Sequence, residues 1–175
     1  RGTAGFAHVS CLAEQAKILI AEAQENNLGS KVFNERWARW HTCSLCKQDY
    51  HGVVYCALGW ACWKTYLGRP EGDDCQRNAM SLLGISLTDA KHYEDALSVQ
   101  EAELAMKRRV GVPEEAILAT QMNIAVLFQL HGRPEEAMQT HRDVASGYAR
   151  LYGNEHEMSL IAALNYASSL GQLRR

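Results

Sequence analysis

The sequence is poor in proline and phenylalanine, with three of each, and no apolar run approaches the ~18 residues of a membrane-spanning helix. A membrane span is therefore not expected. Lysine and arginine total 18 against 20 aspartates and glutamates, for a formal charge of −2. Such a balance gives no basic footprint for nucleic acid. Low-complexity segments are absent, and so is a recognisable signal peptide. The six cysteines all fall within the first 75 residues, and the remaining hundred have none. Nothing else points to secretion, so these cysteines read as reduced thiols or metal ligands in an intracellular, cytoplasmic protein. The usual signatures of catalysis are missing too. There is no Gly-rich phosphate loop, no paired-carboxylate pattern and no His-Glu-x2-His motif. Cys43 beside His41 or His51 is the one nucleophile pair on offer, and no local feature of the sequence would activate it. No residue is assigned a catalytic role, and an enzyme is not the favoured reading.

What is present, at 47% hydrophobic residues, is enough to bury a core. The back half is a repeat. Gly111 and Gly153 are 42 residues apart, as are Asn123 and Asn165, and Ala125 and Ala167 keep that register. His92-Tyr-Glu-Asp-Ala-Leu97 matches Arg133-Pro-Glu-Glu-Ala-Met138 at a shift of 41. Each unit reads as two helices. Ile117, Leu118, Ile124, Val126, Leu127 and Leu130 form a broad apolar stripe over 114–130. His-Gly-Arg-Pro then breaks the helix, with Gly132 suited to a left-handed cap and Pro134 to the first turn of the next helix. Hairpins of this kind bury their faces by stacking.

These features resemble the tetratricopeptide repeats of the kinesin light chain type. The matching residues are Asn123-Ile-Ala125, Gly132-Arg-Pro-Glu-Glu-Ala137, Leu151-Tyr-Gly-Asn-Glu-His156 and Asn165-Tyr-Ala167. The resemblance spans roughly 76–175 and implies a concave groove, lined by the first helix of each hairpin, that holds a protein or peptide ligand. It implies groove contacts for Asn123 and Asn165. Read from the residues alone, these amides could equally cap or bridge helices internally. The first repeat has Ser81 and Leu82 near the equivalent place, so the groove is expected to begin at the second repeat.

The front half carries two short-spaced pairs, His8-x2-Cys11 and Cys43-x2-Cys46. Short pairs of this kind suit tetrahedral zinc. Together with Gly2-Thr3, Ala7, Leu12, Lys47 and Tyr50, they resemble the second half of a RING-CH zinc finger over about 1–50. That resemblance implies zinc as cofactor, with His8 and Cys11 on one ion and Cys43 and Cys46 on another. The four remaining ligands would lie before Arg1, one of them immediately so. It also implies a possible partner, a ubiquitin-conjugating enzyme, and hence the alternative reading of a ubiquitin ligase whose repeats recruit substrate. Gln15 stands where many members of that family have an aromatic, which weighs against the ligase. A rival set, Cys43, Cys46, Cys56 and Cys62 with His41 or His51, is disfavoured because Cys56 and Cys62 sit six apart on one helical stretch and share no face. Cys56, Cys62 and Cys75 read instead as small core residues, and Trp60, Trp63 and Tyr66 as core aromatics.

The sequence thus predicts an all-α chain: a partial RING-CH-like segment over 1–50, a helical connector over 51–75, and tetratricopeptide repeats over 76–175, the last cut within a repeat at Arg174 and Arg175. In the front segment Ile18, Leu19 and Ala23 are expected to pack on Phe33, Trp37 and Trp40. The predicted function is that of a protein-interaction scaffold.

Overall fold

The computed structural model describes residues 7–173; Gly2, Thr3, Arg174 and Arg175 lie outside them. The described residues are all-α, with eight helices, one 3₁₀ turn and a single isolated bridge between Thr42 and Asp49. They divide into two compact units, one up to His92 and one from Tyr93 on.

In the first unit, α1 (Val9–Glu25) packs on α2 (Ser30–Trp37), the 3₁₀ turn Ala38–Trp40 and α3 (Gly52–Tyr66), and α3 pairs with α4 (Asp74–Asp89). The core joins Ala16, Ile20, Trp40, Cys62, Tyr66, Cys75, Ala79 and Leu82. Cys62 and Cys75 behave as the small apolar residues expected. Trp37 stacks between Phe33 and Tyr66, at centroid distances of 5.8 and 5.5 Å, and Trp40 meets Tyr66 edge-on. Ala16, Ile20 and Ala23 are the buried stripe of α1, whereas Ile18 is half exposed. The expected contact of Ile18 is therefore corrected. Two steps along a helix rotate a side chain by about 200°, so Ile18 and Ile20 cannot both face the core. Trp60 is corrected likewise: it is exposed, while Tyr66 is buried and Trp63 half-buried. Asp73 caps α4 by accepting a hydrogen bond from the Gln76 amide at 3.0 Å.

In the second unit, α5 (Tyr93–Val110), α6 (Glu114–Leu130), α7 (Pro134–Tyr152) and α8 (Glu157–Leu173) pack in sequence order. The α6–α7 corner follows the expected chemistry. Gly132 has φ 77°, Arg133 N–H donates to Phe128 O at 2.8 Å, and Pro134 opens α7. This is the paired hydrogen-bond cap that spares a helix its last unpaired carbonyls. The core contains Leu118, Val144, Tyr148 and Ala162. Gly147 lets α7 approach α6 closely: a Cβ there would lie 2.6 Å from Leu118 Cδ2. Between α5 and α6, Lys107 Nζ sits 2.6 Å from Glu103 Oε1 and donates to Thr120 Oγ1 at 2.8 Å. Glu103 is 1% exposed, so this ion pair is buried and each charge depends on the other.

Candidate functional site

Three regions carry the sequence-predicted residues. The first is the outer face of α6 and α8. Asn123 is exposed on α6 and Asn165 half-exposed on α8, and among the described residues neither side-chain amide caps or bridges helices. Around Asn123 run Ala119, Val126 and Leu130 at offsets of −4, +3 and +7, which places all four on one helix face. All are exposed. A shift of 42 carries them to Ile161, Asn165, Ser168 and Gln172 on α8. The C-terminal ends of the two helices are joined, because Gln129 Nε2 donates to Ser169 Oγ at 2.8 Å and to Gln172 Oε1 at 3.3 Å. The resulting strip is aliphatic with three amides, Asn123, Asn165 and Gln172, and one hydroxyl, and none of the eight positions bears a charge. Chemically it can exchange hydrogen bonds with a peptide backbone through amides that both donate and accept, while its methyl groups take apolar side chains. Val126 and Leu130 belong to the apolar stripe over 114–130, yet both are exposed on this face. Their role was legible only by carrying the 42-residue register from helix to helix.

The second region is the turn 42–50. Cys43 N–H donates to Gln48 O at 2.9 Å and Lys47 N–H to Cys43 O at 3.1 Å, with Lys47 at φ 59°. Asp49 accepts from Thr42 Oγ1 at 2.6 Å and so pins the two arms. The turn aims backbone N–H groups at Cys43 Sγ. Those of Cys46 and then Leu45 pull its pKa from 9.0 to about 7, because they stabilise the thiolate. The sequence offered no obvious route to an activated thiol, and the structure supplies one through backbone amides rather than a histidine. Burial and then Cys43 push the Tyr50 phenol up. Two thiolates on one knuckle fit half of a tetrahedral zinc site. Cys46 is exposed and Cys43 half-buried, so both are reachable.

His8 and Cys11 lie at the start of α1, where His8 precedes the first helical turn and both side chains are exposed. They are one helical turn apart and make a second pair. Among the described residues no three histidine, cysteine or acidic side chains converge, so the two pairs are not brought together. The rival set of Cys43, Cys46, Cys56 and Cys62 is also ruled out as a site, since Cys62 is fully buried in the first core.

The repeat spacing, the hairpin corner and the paired asparagines place α6–α8 in register with one another. Residues 117–157 match the tetratricopeptide repeat family. The match covers α6 from Ile117 on, α7 and the turn into α8. Two crystal structures of nearly identical TPR-like repeats, described as kinesin light chain from Podosopora anserina, are similar to this chain at 15% identity. The alignments cover 95% and 96% of this chain and 90% of each of those chains, with TM-scores of 0.54 and 0.55. At that identity the likeness concerns the fold, and it supports an all-helical, TPR-like architecture. No curated protein matches the sequence. No described helix is long and apolar enough to cross a membrane.

Proposed function

We propose that this chain is a protein-interaction scaffold that holds an extended or helical peptide along the α6–α8 face, with Asn123 and Asn165 bonding the peptide backbone. The observation that carries this reading is the uncharged strip itself. Two amides without a structural duty stand on helices joined through Gln129, among exposed Ala119, Val126, Leu130 and Ile161. A pre-formed surface of this kind orders only the ligand. The test uses peptides selected from a random library against the intact chain. Asn123→Ala and Asn165→Ala should each weaken their binding by about three- to tenfold, the worth of one hydrogen bond, without lowering the melting temperature. Unchanged affinity in both variants would defeat the assignment.

A second reading concerns the front segment, and the knuckle at Cys43 favours it. His8 with Cys11, and Cys43 with Cys46, each supply half of a zinc site of the RING-CH kind, completed by ligands from elsewhere. Zinc bound there is structural and cross-links the segment. The chain's own part is to present thiolates on a rigid turn. Binding of one equivalent of zinc at Cys43 and Cys46, lost in Cys43→Ser and measured by displacement of cobalt absorbance, supports this reading. The ubiquitin-ligase alternative, with a ubiquitin-conjugating enzyme as partner, rests on the sequence resemblance alone.

A further inference from the structure

The first unit carries a cleft of about 370 Å³ that the α6–α8 strip does not use. On α4 it is lined by Asn78, Ser81, Leu82 and Ile85, whose offsets put them on one helix face. Trp37, His41 and Tyr55 line it from the other elements. Trp37 is fixed in place by its stacking on Phe33 and Tyr66. Asn78 and Ile85 are exposed, and Leu82 is buried at the base. The lining is therefore apolar with a polar margin.

Its surroundings are acidic. Asp49 lies 3.6 Å from His41 Nδ1. Asp89 follows Ile85 by one turn on α4 and accepts a hydrogen bond from the Gly52 amide. Tyr55 stands within the field of both carboxylates, which add to the effect of its own burial in pushing its phenol up to about 12. No lysine or arginine lines the cleft. His51 Nδ1 lies 3.5 Å from Asp89 Oδ1. A side chain with a long apolar stem and a cationic tip matches this arrangement, since the stem is covered and the tip meets an aromatic ring and negative charge.

We propose that this cleft binds the lysine or arginine side chain of a peptide partner, its stem along Leu82 and Ile85 and its charged head toward Tyr55 between Asp49 and Asp89. The site lies wholly in the first unit and does not depend on the α6–α8 groove.

The test is an NMR titration of the full nitrogen-15-labelled chain with acetyl-Ala-Lys-Ala-amide, and with the norleucine peptide, which keeps the four-carbon stem and lacks the ammonium. The lysine peptide should move the Trp37 indole and Asn78 amide signals saturably, with a dissociation constant on the order of 1 mM. The norleucine peptide should bind more weakly. Asp49→Asn keeps an oxygen for Thr42 and should weaken the lysine peptide by roughly two- to fivefold, as expected for one solvent-facing charge, while leaving the norleucine peptide unchanged. Ile85→Ala should weaken both peptides. The proposal is overturned if the lysine peptide produces no saturable shift at Trp37 and Asn78 up to about 10 mM. It is equally overturned if norleucine binds as well as lysine, or if Asp49→Asn leaves the lysine affinity unchanged.

Discussion

Replacing Gly147 with alanine puts a methyl carbon 2.6 Å from Cδ2 and 2.9 Å from Cδ1 of Leu118. Non-bonded carbons do not approach so closely, so Leu118 or α7 must shift. Leu118 is 5% exposed and packs with Val144 and Tyr148, which leaves its branch little room. Overpacking of this kind costs about 1–3 kcal/mol. Alanine inside a helix is in turn better than glycine by about 1 kcal/mol. The expected net change is a loss of roughly 0–2 kcal/mol. A second background makes the sign decisive. Leu118→Ala removes both clashing methyl groups, itself at a cost of about 2–5 kcal/mol. In that background Gly147→Ala should stabilise the chain by about 1 kcal/mol. Urea unfolding of the parent, both single variants and the double variant, followed by circular dichroism, measures all four stabilities. The reasoning is refuted if Gly147→Ala changes stability equally in the two backgrounds.

Three further outcomes are expected. Lys91 occupies the left-handed cap position at φ 65° that Gly132 fills in the next repeat, so Lys91→Gly should stabilise by about 1 kcal/mol; a thermal melt showing no gain contradicts this. Iodoacetamide at neutral pH should alkylate Cys43 before any other cysteine, and the rate should fall as pH drops below about 7, whereas buried Cys62, whose thiol is pushed well up, should react last; mass spectrometry of peptides decides the order. His141 is buried with neither ring nitrogen hydrogen-bonded, and burial lowers its pKa from 6.5. The unfolded chain therefore takes up a proton that the folded chain refuses, and stability present above about pH 6.5 is lost as pH falls. His141→Leu should gain in melting temperature relative to the parent as pH is lowered from about 7 to 5, and a constant difference would argue against it.

The helical hairpins were legible in the sequence because their punctuation is local. Gly132 and Pro134 act through backbone conformation at their own positions, and the structure uses each as expected. Burial was less legible wherever a helix is apolar on several sides. In α1 an Ala-rich stretch places Ile18 and Ile20 on different faces, and nothing local says which meets Trp40. In α3 the apolar residues run all round, so exposed Trp60 reads like buried Tyr66. Leu118 and Leu160 hold the same repeat position, yet they are 5% and 52% exposed. That difference arises from neighbours: α7 covers Leu118, and no described helix covers Leu160. The asparagine pair was visible as a spacing, but its companions Val126 and Leu130 looked like core. The thiol chemistry of Cys43 was invisible because backbone amides, not side chains, supply it.

The central claim is that the α6–α8 strip receives a peptide at Asn123 and Asn165. The most direct measurement is the NMR response of those two side-chain amides when a library-selected peptide is added to the intact chain. The account expects both pairs of amide signals to shift and saturate together with the peptide. Saturable binding that leaves both amides unmoved would contradict it.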